Sequence, residues 1–152
     1  FAGQGGSLST NDVALSLGDS ATLTITNIAS AVADGNSNML KKALIRAWDE
    51  DMSAILVLRG CQNYFRQIEM AALGMANGAG AAAAIQTLRP PVHFKLRAKM
   101  MTQVQIWREP HGSYAQNRLQ NAELTIKSGS LNDRVICSQC LLGLTLRAKN
   151  LL

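Results

Sequence analysis

Apolar residues recur along this chain at spacings of three and four, and nowhere do apolar and polar positions alternate for long enough to build a sheet. The pattern predicts an all-α fold. Gly3, Gly5 and Gly6 read as a lead-in to a short helix capped by Thr10, with Asp12 near its positive end and Gly18 and Asp19 as its stop. A second segment, about Thr24 to Asp34, ends at Gly35. A third, about Ser37 to Trp48, carries Leu40, Ala43, Leu44 and Ala47 on one stripe. The acidic triplet Asp49, Glu50 and Asp51 separates it from the next helix, for which Asp51 is the expected N-cap.

That next helix, about Met52 to Asn77, has the clearest amphipathic pattern. Ala54, Val57, Leu58, Cys61, Tyr64, Phe65, Ile68, Ala72 and Met75 share a face, and Arg59, Gln62, Asn63 and Arg66 lie opposite. Gly78 and Gly80 break it, and a short AAAAIQTL helix ends at Arg89 before Pro90 and Pro91, because a residue preceding proline avoids the α region. Val92 to Trp107 follows. Ser113 to Lys127 then buries Ala115, Leu119, Ala122 and Ile126 and is closed by Gly129. The last helix starts near Asn132. Its Val135, Ile136, Cys137, Cys140, Leu141, Leu142, Leu144 and Leu146 point nearly all round, which predicts a central helix or one covered by a partner subunit.

Composition narrows the class. With 152 residues, 47% hydrophobic and 16% charged, the chain fits one compact domain and excludes collagen, low-complexity disorder and a disulfide scaffold. A domain of this size buries roughly 70% of its unfolded surface and needs no metal or disulfide staple. The nearly apolar stretch Val135 to Leu146 is shorter than the ~18 residues of a bilayer span, so no membrane partner is expected. The opening FAGQGG lacks the basic and apolar regions of a signal peptide and does not begin with Met, which suggests a piece of a longer protein. Three cysteines without a secretory signal favour free thiols in a cytoplasmic setting.

Few residues invite chemistry. Cys137 and Cys140 form CSQC, but only Cys61, His93 and His111 could complete a metal site, none at paired spacing. The motif also lies more than a turn inside an apolar helix, where no helix N-terminus lowers a thiol pKa, so buried packing is the expectation. The two histidines form no base-and-orienter pair with a serine, and FAGQGG lacks the GK[ST] ending of a phosphate loop. Glu123 and Lys127 are spaced for a surface ion pair, and Trp48 and Trp107 read as edge-of-core anchors. No catalytic residue, cofactor or metal is expected.

Charge is more telling. Arg89, Lys95, Arg97, Lys99 and Arg108 occur in one segment with no acid, and the remaining 10 basic and 10 acidic residues cancel, so the net +5 originates here. On a wheel of about 100° per residue Lys95 and Lys99 share a side, while Arg97 lies about 160° from Lys95. Phe94 and Trp107 fall on different faces, so no stacking platform accompanies the charge. Arg89, Lys95, Lys99 and Arg108 are the candidate partner or phosphate contacts, weak and salt-sensitive if they meet nucleic acid.

Three stretches resemble the delta-subunit family of the bacterial DNA polymerase III clamp loader. LSTNDVALSLGDSATLTITNIASAVADGN looks like the passage from the lid of that family's ATPase-like module into its C-terminal collar. LRPPVHFKLRAKMMTQVQIW is similar to its arginine, double-proline, aromatic and lysine junction with a following basic helix. NAELTIKSGS resembles a late collar helix, with Ala122, Glu123, Leu124 and Lys127 in matching places. The resemblance implies that residues 1–19 are the end of the lid domain and 20–152 a helical collar, an oligomerisation domain. It further implies a non-catalytic role: assembly with the collars of other loader subunits, and contact with the sliding clamp and primed DNA through the whole complex during replication. On this reading the fragment lacks ATPase and polymerase sites, and a homodimer of it in isolation would be a substitute contact. A helical nucleic-acid adaptor built on residues 89–108 is the alternative, and a thiol or zinc protein built on CSQC is a third.

Overall fold

The computed structural model describes residues 5–129 and 132–152, with side chains from Ser20 onward. Seven helices make up the described residues, with no strand among them: α1 (Gly5–Asp34), α2 (Ser37–Asp49), α3 (Ala54–Ala76), α4 (Ala81–Gln86), α5 (Phe94–Ile106), α6 (His111–Lys127) and α7 (Asp133–Leu151). The all-α expectation holds. α1 and α3 are the hubs: α1 packs on α2, α3, α5 and α7, and α3 on α1, α4, α5, α6 and α7.

The expected stop at Gly18 and Asp19 is absent, and α1 runs through both without a break. Neither residue forbids a helix. An interior glycine costs about 1 kcal/mol relative to alanine, and with no proline nearby elongation continues. The β-branched run that follows is accommodated because Thr24 and Thr26 donate their hydroxyls to the carbonyls of Ser20 and Thr22, at 3.1 and 2.7 Å. The domain division expected at residues 19 and 20 falls within this helix. Thr10 and Asp12 also lie inside it, and their side chains are outside the described residues.

Other boundaries follow local chemistry. Gly35 adopts φ +74° and ends α1, with Asn36 N–H donating to Ala31 O at 3.0 Å. A Cβ there would also meet Lys149 N at 2.7 Å, so the turn lets the end of α1 approach α7. Asn36 Oδ1 then caps α2 by accepting from Met39 N at 3.0 Å. Asp51 is not the cap of α3. Ser53 fills that position, accepting from Leu56 N, while Asp51 sits at φ 59° and pairs with Arg134 Nη2 at 2.8 Å. An aspartate tolerates the left-handed turn that a second cap two residues later requires. α6 starts at His111, two residues early, because Glu109 Oε1 accepts from Ser113 N at 2.9 Å and Oε2 from Ser113 Oγ at 2.6 Å.

The core stripes lie mostly where periodicity puts them, except that at the end of α3 Ala71 is buried while the expected Ala72 and Met75 are half-buried. α3 buries Ala54, Val57, Leu58, Cys61, Tyr64, Phe65, Ile68 and Ala71, and α6 buries Ala115, Leu119, Ala122 and Ile126. Trp107 lies deeper than an edge anchor: it is 1% exposed, its indole N–H donates to Ala33 O at 3.0 Å, and its ring meets Phe65 edge-on at 4.8 Å. Trp48 remains half-buried, with the Arg134 guanidinium 5.3 Å from its ring. α7 packs one side into α1, α2, α3 and α6 through Cys137, Cys140, Leu141, Leu144, Thr145 and Ala148. Val135 and Leu146 stay exposed and Leu142 half-exposed, so among the described residues α7 is covered on one side only.

Gly60 sets how closely α1 and α3 approach, because a Cβ there would overlap Ile25 Cγ2. Gly60→Ala should therefore destabilise the fold by about 1–3 kcal/mol in urea unfolding, overriding the helix-propensity gain of about 1 kcal/mol. In an Ile25→Ala background the same change should be neutral or stabilising, and equal costs in both backgrounds would disprove the steric account.

Candidate functional site

The four basic residues singled out from the sequence do not converge. Lys95 is exposed in the first turn of α5, where His93 Nδ1 accepts from its backbone N–H at 3.2 Å. Lys99 Nζ lies 3.7 Å from Asp34 Oδ2, so an acid distant in sequence neutralises it in part. Arg108 is exposed and donates to Gln105 Oε1 at 3.2 Å. Arg89 lies on a different cleft, with Nη1 donating to Leu88 O at 2.8 Å. Arg97, off the Lys95–Lys99 side as the wheel required, folds back half-buried to donate to Val92 O at 3.3 Å. The segment is basic in sequence and dispersed in space.

Two clefts flank α3. One, of about 570 Å³, lies between α1 at Thr22 to Thr26, α3 from Leu56 to Met70, and the stretch from Arg89 to Leu96. Its charged lining among the described residues is Arg59, Arg66 and Arg89, with no carboxylate. The other, of about 670 Å³, lies between the end of α3 and the α5–α6 junction, with Glu69, Glu109 and Arg108 around an apolar interior. Burial, helped by the neighbouring Glu109 charge, raises the pKa of Glu69.

Sequence reasoning foresaw neither cleft, although Arg59 and Arg66 were already visible on the polar face of α3. It also passed over Gln103, which is fully buried. Its Nε2 donates to Asp34 Oδ1 at 2.7 Å and Ser30 Oγ at 3.2 Å, and its Oε1 accepts from Tyr64 OH at 2.5 Å. Burial, with Asp34 adding charge, pushes the Tyr64 phenol up to about 12. The available signal was position: Gln103 follows Met100 by three and precedes Trp107 by four, on the inward stripe of α5.

The thiols meet across helices. Burial pushes the Cys61 thiol of α3 well up, and Cys137 and Cys140 of α7 lie close enough to disfavour its ionisation further. Cys137 is pushed up to about 12 and Cys140 to about 11, both chiefly by burial. All three are buried free thiols, and among the described residues no group of three or more His, Cys, Asp or Glu is placed to hold a metal ion. No helix among them is long and apolar enough to cross a membrane.

Glu123 does more than pair with Lys127. Its carboxylate meets Lys127 Nζ at 2.7 Å, Gln62 Nε2 at 3.0 Å and Arg59 Nη2 at 3.2 Å, binding α6 to α3. The Lys127 hydrogen bond, then those from Gln62 and Arg59, hold its pKa down to about 2. Comparison with family models, with curated proteins and with solved structures finds no match to this chain.

The three thiols should resist a disulfide reagent such as Ellman's in the native state near pH 8 and all react after unfolding; rapid native reaction of any one would refute their burial. Because the Glu123 pKa is depressed on folding, its stabilisation is full above its unfolded pKa of about 4.3 and is lost as pH falls toward about 2. Glu123→Gln should cost on the order of 1 kcal/mol at neutral pH, the side chain being near solvent, and the deficit relative to the wild type should vanish in acid. A deficit independent of pH would contradict the ionic assignment.

Proposed function

We propose that this chain is the collar-forming part of a clamp-loader delta subunit, a non-catalytic assembly module that joins the collars of other loader subunits. On this reading the sliding clamp and primed DNA are met by the whole complex, within the cytoplasmic replication machinery, and the chain itself carries out no ATP hydrolysis or polymerisation. The resemblance of the three stretches remains the ground for naming this family. The observation that supports an assembly role is the uncovered side of α7, where Val135 and Leu146 are 46% and 45% exposed and Gly143 is open to approach. A helix this apolar is more stable when a partner covers that side.

The adaptor alternative draws less support from the geometry. Its basic residues are divided between separate surfaces, and Lys99 is engaged by Asp34. Phosphate binding by a continuous track would need the reverse.

The test is size-exclusion chromatography of the chain mixed with the remaining clamp-loader subunits in the absence of full-length delta. It should co-elute with them, and Val135→Glu with Leu146→Glu should weaken assembly about tenfold or more while helical content by circular dichroism is unchanged. A folded wild-type chain that stays apart while full-length delta joins under the same conditions would sink the assembly reading. Leu142 is a poor choice for this purpose, since its half-buried side chain also packs against the core.

A further inference from the structure

We propose that the cationic cleft between α1, α3 and the Arg89–Leu96 stretch is a docking groove for a short, acidic, amphipathic segment of a partner protein. This inference concerns a surface separate from the uncovered side of α7 and stands independently of the collar reading.

The groove has apolar walls and a charged rim. Ile25, Val92 and Leu96 contribute aliphatic surface within it, and at its edge Leu56 and Met70 are 47% and 52% exposed. Exposed aliphatic side chains facing a concave wall present area that a partner's leucine or isoleucine would cover. At about 570 Å³ the cleft lies within the range of ~300–1,000 Å³ typical of ligand sites.

The wall is also held in place before any partner arrives. Gln67 Nε2 donates to Pro90 O at 2.9 Å, fixing the double-proline stretch to α3, and Arg97 Nε holds Val92 O at 3.3 Å. Proline at 90 and 91 restricts the backbone further, so little entropy is lost when the groove is filled.

Charge selects the occupant. Among the described residues Arg59, Arg66 and Arg89 line the groove without a carboxylate; from outside it Glu123 pairs with Arg59, and Glu69 lies near enough to Arg66 to feel its charge without forming an ion pair. Arg66 donates to Asn63 Oδ1 at 2.9 Å and Arg89 to backbone carbonyls, neutral acceptors that position the guanidinium groups without cancelling their charge. Carboxylates accept charge-assisted bonds from guanidinium forks. The cleft on the other flank of α3, with Glu69 and Glu109, has the opposite bias, so an acidic segment is attracted to one side and repelled from the other.

Nucleic acid fits this groove less well than an acidic peptide. Its interior is aliphatic, the Tyr64 ring is buried and bonded to Gln103, and the exposed aromatic surface among the described lining residues is confined to one end, where His93 stacks on Phe94, short of the row of rings on which successive bases stack. The peptide supplies what both parts of the groove lack: aliphatic groups for its walls and carboxylates for its rim.

The experiment uses the full chain and synthetic peptides of about twelve residues bearing leucine at helical spacing. One carries Asp and Glu at the other positions, a second carries Lys there, and a third keeps the acids but replaces leucine by serine. A thymidine oligonucleotide serves as the nucleic-acid probe. Fluorescence polarisation and amide shift mapping should show the acidic leucine peptide binding at Leu56, Met70 and Leu96, with the other peptides at least about tenfold weaker. Arg66→Glu and Arg89→Glu, both exposed, should each weaken it by a comparable factor with the fold intact, while Val135→Glu, on the uncovered side of α7, should leave it unchanged. Failure of the acidic leucine peptide to bind at millimolar concentration, equal binding of the lysine peptide, or indifference to Arg66 and Arg89 would overturn the proposal. Oligonucleotide binding that shifts the same residues more strongly would assign the groove to phosphate instead.

Discussion

The carboxamide of Gln103 is the point from which the arrangement of α1, α3 and α5 follows. Wholly buried, it donates to Asp34 and Ser30 of α1 and accepts from Tyr64 of α3, so a residue of α5 joins both hub helices. Its orientation is set by chemistry, since a flipped amide would place its oxygen against the Asp34 carboxylate. Tyr64 is a donor at neutral pH, and burial, by raising its phenol to about 12, keeps it one well into alkaline solution. An apolar residue in place of Gln103 would leave the Tyr64 hydroxyl without its partner, at about 1–3 kcal/mol. Four residues on, Trp107 repeats the link from α5 to α1 through Ala33 O, and the two bonds together fix rotation and register. Non-directional apolar packing would tolerate sliding that these bonds do not.

With α5 so fixed, the stretch preceding it has a defined place. Val92 and Leu96 form one wall of the cationic groove, and Gln67 reaches across to hold Pro90. α3 thereby serves two purposes. Its inward stripe buries Val57, Leu58, Cys61, Phe65 and Ile68 in the core, and its outward residues divide into a cationic flank with Arg59 and Arg66 and an acidic flank with Glu69. Glu123 couples the cationic flank to α6 through Arg59 and Gln62, so packing on the far side of α3 bears on the groove rim.

α7 presents a different balance. Cys137, Cys140 and Leu141 complete the core against α3 and α6, and Arg147 lies 3.7 Å from the Tyr114 ring centroid while bonding His111 at 3.2 Å. Those contacts account for one side of the helix. The opposite side keeps Val135 and Leu146 in water, the cost of which an association partner would remove. The assembly reading and the groove thus use different faces, one apolar and one cationic.

Helix existence, order and most inward positions were legible in the sequence because they depend on local periodicity and on helix ends such as Gly35 and Gly129. The continuation of α1 through Gly18 and Asp19 was not, since a weak breaker yields to cooperative elongation. Nor was the cap at Ser53 in place of Asp51, because the left-handed turn at Asp51 shifts the helix start by two residues. The free thiols and the excess of positive charge could be read from composition, but their surroundings could not. Which acid meets Lys99, which helix brings Cys61 to the CSQC pair, and which arginines face one cleft are matters of residues tens of positions apart. Only tertiary packing decides them, because a side chain's charge and burial are set by neighbours in space, and the sequence records only neighbours along the chain.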